Sequence, residues 1–212
     1  MKTLTKNYIR ILGVITAVNI AMLLIRNYIE GNSVYNFLFW NLFLGFLPLL
    51  FAYILYIFKE KLSAITLIIG SGIWLLFYPN APYMISDLIH VDKDSSTVIY
   101  DTLIIFSISI LSIFYGFFSL KIIHLLWRNK WSVKRANLFI VFALLMSSFG
   151  IYLGRILRLN SWDLFTNPLK VLSDVIHHLW PINQNPTTYY IVLLFSIIQY
   201  ILLVMTKDLE EL

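Results

Sequence analysis

The sequence predicts an all-α polytopic membrane protein: a single integral membrane domain over residues 1–212, with six transmembrane helices and one short amphipathic helix at the interface. Three observations predict it. Apolar residues make up 59% of the chain and charged ones only 13%, against roughly 25% charged in an ordinary soluble domain. So few charges dress a water-exposed surface of this size poorly. Charge-free runs long enough to cross a bilayer recur along the chain, and an ionised side chain at mid-bilayer costs at least about 2.5 kcal/mol. Finally, Lys and Arg collect at alternate connections. A transmembrane barrel is disfavoured because these runs are apolar on every side and lack the two-residue alternation of barrel strands.

The first span is placed at about 9–28. Its uncharged stretch, Ile11 to Ile25, holds 15 residues, about 22 Å of helix, so Arg10 and Arg26 are expected to snorkel to opposite interfaces. Lys2, Lys6 and Arg10 ahead of an apolar run also resemble a signal peptide, but no Ala-x-Ala type of cleavage site closes the run, and a retained helix is expected. The second span, 34–57, lies within the charge-free run Gly31 to Phe58 and carries Pro48, a source of a kink. The third, 62–78, is closed by Pro79 and Pro82, which are expected to force extended or turn-like chain. Spans at 101–120, 135–154 and 187–206 follow. Between the last two, Asn167-Pro168 reads as N-cap and first helical residue. Leu169, Leu172, Val175, Ile176 and Leu179 then share one face, Lys170, Ser173, Asp174 and His177 the other, and Trp180-Pro181 ends the helix. This is the interfacial helix.

Orientation follows from the basic residues. With the N-terminus inside, eleven of the 16 Lys and Arg fall on the cytoplasmic side and five outside, while seven of the 11 acidic residues fall outside. The expectation is a multi-pass protein of the cell membrane with both termini cytoplasmic. The net charge of +5 then belongs to inner loops facing lipid headgroups, the basic stretch Lys121 to Arg135 above all, and no nucleic-acid partner is expected. With no cysteine, disulfides, thiolate nucleophiles and Cys-ligated zinc or iron–sulfur centres are excluded. No cofactor is expected, and the expected partners are the lipid bilayer and an anionic lipid or lipid-linked ligand.

Polar residues concentrate where spans three, four and five reach the outer side. Asn80, between two prolines, is suited to satisfying freed backbone groups. If the chain from Ser86 is helical, Asp87 and His90 lie on one face at i,i+3, close enough for the carboxylate to orient the imidazole or for both to meet a cation; a solvated acidic loop is the plainer alternative. Two ligands do not make a metal site, and none is assigned. Asp101, at the start of the fourth span, suits a helix N-terminus by charge and is also a candidate acid or base. Gly150 and Gly154 make a Gly-x-x-x-Gly step for close approach of another helix. Arg155 and Arg158, expected to stack on one face at the end of the fifth span, have three open roles: anchoring to lipid phosphate, an internal ion pair with Asp87, Asp101 or Asp163, or a clamp on an anionic ligand. Asn160, Ser161 and Asp163 make the turn that follows. Within the membrane, Asn19, Asn41, Ser107, Ser109, Ser112, Ser147 and Ser148 read as contacts between helices. No ionisable residue falls at mid-span, which disfavours a proton-coupled carrier.

The motifs Phe39-Trp40-Asn41-Leu42, Trp74-Leu75-Leu76-Phe77-Tyr78-Pro79-Asn80-Ala81-Pro82-Tyr83, Asp87-Leu88-Ile89-His90 and Gly150-Ile151-Tyr152-Leu153-Gly154-Arg155, continuing through Asn160-Ser161-Trp162-Asp163, resemble the bacterial integral-membrane family known as domain of unknown function 1361. The resemblance covers nearly the whole chain from the second span onward. It implies a multi-span membrane protein and supplies no mechanism. Three classes of function stay open. The first is an enzyme or binding protein with an outward-facing site for an anionic or lipid-linked substrate, in which Asp87, His90 and Asp101 are the candidate catalytic groups and Asn80, Arg155, Arg158, Asn160 and Asp163 the candidate binding groups. The others are a transporter or accessory subunit, and a membrane scaffold.

Overall fold

The computed structural model describes residues 2–92, 96–159, 163–180 and 186–205. Among these there are helices and no strand: α1 (Lys2–Glu30), α2 (Phe37–Ile57), a 3₁₀ turn (Lys59–Lys61), α3 (Ala64–Phe77), α4 (Asn80–Tyr83), a 3₁₀ segment (Met84–His90), α5 (Val98–Lys130), α6 (Val133–Arg155), α7 (Asp163–Thr166), α8 (Pro168–Leu179) and α9 (Pro186–Met205). Five helical stretches are long and apolar enough to cross a membrane: Arg10–Glu30, Phe37–Ile57, Ala64–His90, Val98–Lys130 and Val133–Arg155. A shorter apolar stretch, Pro186–Ile201, lies in α9. The chain is a multi-pass membrane protein: five of the expected spans coincide with helices long and apolar enough to cross, and the shorter stretch in α9 falls at the place of the sixth.

Helix ends follow local chemistry. α1 stops at Glu30 because Gly31 takes a left-handed φ of 61°, a conformation open to glycine without steric cost. Ser63 caps α3 by accepting from Thr66 N–H at 3.0 Å, and Ser132 caps α6 by accepting from Arg135 N–H at 3.3 Å. α5 runs unbroken for 33 residues, about 50 Å against a hydrocarbon core of about 30 Å. Thus Lys121 to Lys130 are helix, and only Trp131 and Ser132 separate α5 from α6. No Gly or Pro interrupts this stretch, and its charged groups lie beyond the apolar region, so nothing ends the helix earlier.

α5 is the hub, packed against α1, α2, α3, α4 and α6, while α9 packs on α6. One apolar cluster joins α1, α2 and α5 through Leu23, Leu38, Ile104, Ile105 and Ile108. A second joins α2, α3, α5 and α6 through Ala52, Leu67, Trp74, Ile123 and Ala143. Lipid is as apolar as these side chains, so close packing and interhelical hydrogen bonds must hold the helices together. The indoles of Trp74 and Trp127 accordingly donate to Ser119 Oγ (3.1 Å) and Ser71 Oγ (2.9 Å). Gln199 of α9 accepts from Ser147 and donates to Ser148 on α6. Of the residues read as interhelical contacts, Ser109 also fits, donating to Met84 O at 2.8 Å.

The segment after α3 departs from the turn expected of its two prolines. Pro79 sits at φ −56°, ψ −28° and the chain continues as α4 and then the 3₁₀ segment. A proline is tolerated in the first turn of a helix, where its missing N–H has no intrahelical partner to lose. A fresh helix beginning at Asn80 puts both prolines there. Asn80 Nδ2 donates to Phe77 O at 2.9 Å, satisfying a carbonyl that the break releases. This segment lies tight against glycines of α5 and α6. A Cβ on Gly116 would stand 2.8 Å from Ala81 Cβ, one on Gly150 2.7 Å from Pro79 Cγ, and one on Gly154 3.1 Å from Tyr83 Cε2. The Gly150–Gly154 step is therefore a seat for Pro79 and Tyr83.

Candidate functional site

The last turns of α1 and α6, the first turns of α2 and α5, and the α4–3₁₀ segment meet at one end of the bundle, here called the polar end. Two arginine–aspartate pairs are buried there. In the first, Arg155 Nη2 donates to Asp87 Oδ1 at 2.5 Å, and Asn41 of α2 donates from Nδ2 to Asp87 Oδ2 at 2.8 Å. The other donors of Arg155 are also engaged: Nε donates to Ser86 Oγ at 2.8 Å and Nη1 stands 3.0 Å from His90 Nε2. A guanidinium has no acceptor, so His90 Nε2 must accept. The guanidinium also lies 4.3 Å from the centroid of the Tyr83 ring, a cation–π contact. Ser86 in turn donates to Tyr83 O at 2.6 Å.

In the second pair, Arg26 meets Asp101 in a two-point contact, Nε to Oδ1 at 3.0 Å and Nη2 to Oδ2 at 3.4 Å. Thr97 Oγ1 donates to Asp101 Oδ2 at 3.1 Å, and Arg26 Nη1 donates to Asn32 Oδ1. Tyr35 links the pairs. Its ring lies 4.6 Å beneath the Arg26 guanidinium, and its hydroxyl donates to His90 O at 3.4 Å. The side chains of Arg26 and Asp101 are 4% and 0% exposed, those of Arg155 and Asp87 16% and 1%. At such burial each charge is tolerable only beside its partner. The expectation that Arg26 snorkels is thus corrected: it turns inward, because a carboxylate of α5 meets it there.

Of the candidates read from the sequence, Asp87, His90 and Arg155 come together, with Ser86, Tyr83 and Asn41 added. The i,i+3 spacing does bring Asp87 and His90 to a common partner. Asp101 belongs to the neighbouring pair, and Asn80 lies at the mouth of the cleft described below. Arg158 does not stack on Arg155. The helix ends at Arg155, and Leu159 N–H bonds back to Leu153 O at 3.1 Å, leaving Arg158 exposed at a left-handed φ of 57°. Asp163 opens α7, and Asn160 lies outside the described residues. Asn41 and Arg26 carry the site without having been singled out for it. The signal available in the sequence was a count: two Arg and two Asp crowded at the same ends of their spans.

Beside the Asp87–Arg155 pair a cleft of 440 Å³ opens between α2, α3 and α6. Asn41, Asn80 and Tyr83 line its polar mouth, and Val171 of α8 reaches its rim. Trp40, Leu76, Phe142, Met146 and Phe149 wall the rest, with Gly72 leaving room between them. Measured along α6 from Gly154 to Phe142, the cleft runs about 18 Å into the apolar region at 1.5 Å per residue. Its volume lies within the usual range of ligand sites. α8 shows the amphipathic pattern expected of it: Pro168 is its first residue, and Leu169, Leu172 and Ile176 are exposed along one side, as an interfacial helix facing lipid requires.

Apolar spanning helices, ion pairs buried at one end, and an elongated cleft descending from that end define a polytopic helical membrane protein with a ligand-sized recess. The chain belongs to a family of proteins of unknown function, DUF1361, whose model matches residues 40–202. That stretch contains Asn41, Asp87, Asp101 and Arg155, and begins after Arg26. No curated protein and no solved structure matches the chain.

Proposed function

We propose that this protein binds an amphiphile at the outer face of the cell membrane, taking the hydrocarbon part of the molecule into the 440 Å³ cleft and holding its head at Asn41, Asn80 and Tyr83. The carrying observation is the continuity of an apolar channel with a polar mouth: such a recess matches a molecule with the same division. Positive-inside charge asymmetry supports placing the polar end outward and both termini in the cytoplasm.

In this reading Asp87, Asp101, Arg155 and His90 are positioning groups. Each oxygen of Asp87 already accepts from a protein donor and 1% of its side chain is exposed, so burial keeps it from a substrate in the cleft. Arg155 clamps the 3₁₀ segment to α6, and thereby sets the mouth of the cleft. Arg158 and Asp163 are not among the residues that line the cleft and are given no contact with the bound molecule.

Gly72 provides the test. A Cβ there meets nothing within 4 Å, so the side chain of Gly72→Leu starts into open space and is expected to occupy the cleft. Native mass spectrometry of the wild-type protein released from membranes is expected to show one retained amphiphile per chain, and Gly72→Leu is expected to lose it at unchanged melting temperature. Equal occupancy in both proteins contradicts the reading.

A further inference from the structure

The polar mouth carries more information than the presence of a cleft, and the following rests on the reading that the cleft binds an amphiphile. Among the described residues, none that lines the cleft is charged. The nearest charges cancel: Arg155 directs Nε, Nη1 and Nη2 to Ser86, His90 and Asp87, and Asp87 accepts from Arg155 and Asn41. An anionic head brought here would lose water without gaining an unpaired cation, which is unfavourable.

The hydrogen-bonding pattern of the mouth is set by chemistry at the back of each amide. Asp87 Oδ2 and Phe77 O are acceptors, so the groups facing them must be the NH₂ of Asn41 (2.8 Å) and of Asn80 (2.9 Å). That fixes both amides, and neither Oδ1 has a partner among the described residues. The Tyr83 hydroxyl is likewise without one there, its ring being held under Arg155. The mouth therefore offers two oriented carbonyl oxygens and one hydroxyl, a set that recognises hydrogen-bond donors.

Size limits the tail. A cleft of 440 Å³ holds about 15 groups of ~30 Å³, the share of a water molecule and close to that of a methylene. This is one hydrocarbon chain.

We propose that the cleft selects an amphiphile with a single hydrocarbon chain and an uncharged head bearing hydroxyl donors, such as a monoacylated polyol or a monoglycosylated lipid alcohol. The polyol and the sugar present the same donors to Asn41 Oδ1, Asn80 Oδ1 and Tyr83 Oη, and the tail lies along Leu76, Phe142 and Met146.

The test holds the tail constant and varies the head. Full-length protein in nanodiscs of diacyl phosphatidylcholine is photolabelled with a diazirine-bearing monoacylglycerol, and unlabelled monoolein, octadecenyl glucoside, oleate and oleoyl lysophosphatidylcholine compete. Monoolein and the glucoside are expected to displace the label at concentrations at least tenfold below oleate and the lysophospholipid; whichever of the two is stronger distinguishes polyol from sugar. Tyr83→Phe keeps the ring over Arg155 and is expected to narrow that advantage several-fold while leaving oleate displacement unchanged. Labelling that is saturable and abolished by Gly72→Leu, but displaced best by oleate or equally by all four, overturns the head selectivity and leaves the cleft reading standing. Labelling that is not saturable, or is indifferent to Gly72→Leu, overturns both.

Discussion

Arg155→Ala is expected to lower the melting temperature of the purified protein further than any substitution on its lipid-facing surface, through a loss of about 3–5 kcal/mol. The cost comes from what remains. Asp87 would keep only the Asn41 amide, at 2.8 Å, while its carboxylate stays 1% exposed and unneutralised. Asp87→Asn added to Arg155→Ala removes the stranded charge and is expected to recover part of the loss. A double-mutant cycle over the two positions should therefore show strong non-additivity, of the order of 1–3 kcal/mol. Additive losses, or an Arg155→Ala protein melting with the wild type, would mean that the pair does not hold α6 to the 3₁₀ segment. Tightness of the pair also bears on the cleft, since Tyr83 and Asn41 at its mouth are the residues that touch Arg155 and Asp87.

Arg26→Ala carries the second large effect, for the same reason and with a different consequence. Asp101 has a side chain 0% exposed, and its remaining side-chain donor is Thr97, at 3.1 Å. The loss is again about 3–5 kcal/mol, but it falls on the attachment of α1 to α5. Amide exchange in α1 is expected to rise well above that of α3 and α6. Arg26→Lys is expected to recover only part of the protection, because one ammonium cannot reproduce the two-point contact of Nε and Nη2. Uniform exchange across all helices would place the contribution of this pair elsewhere.

The fold was legible where one property of the chain decides it. Scarcity of charge marks the spans, and Asn167-Pro168 with its spaced leucines marks α8. Asn80 does satisfy a released carbonyl, as its place between prolines suggested. What escaped the sequence depends on contacts distant along the chain. Nothing near Arg26 shows that Asp101, 75 positions away, will meet it inside the protein. A snorkelling arginine and an ion-paired one read alike until the helices pack. Pro79 and Pro82 read as breakers because their missing N–H groups were counted against a continuing helix, whereas the chain begins a new one at that point. Arg158 was placed on the face of Arg155 by helical spacing, and the helix closes before it.

The cleft was hidden for a further reason: it is made of what is absent. Gly72 contributes to it by lacking a side chain. In a sequence, a glycine that leaves space at a wall cannot be told from one such as Gly116, where a neighbour fills the space. The polar mouth was half visible. Asn80 was singled out for its backbone role, and Asn41 was read as an interhelical contact. Each does that work with its NH₂ group, and it is the other end of each amide that faces an unfilled requirement.

An experimental structure of the protein in nanodiscs carrying the lipids of its own membrane decides whether the recess between α3 and α6 is a ligand site or ordinary lipid-facing surface. One elongated density is expected within the cleft, its narrow end beside Phe142 and Met146 and its head within hydrogen-bonding distance of Asn80 Oδ1 or Tyr83 Oη. A cleft closed by the rings of Trp40 and Phe149, or holding only the diffuse density found around the rest of the bundle, would contradict it.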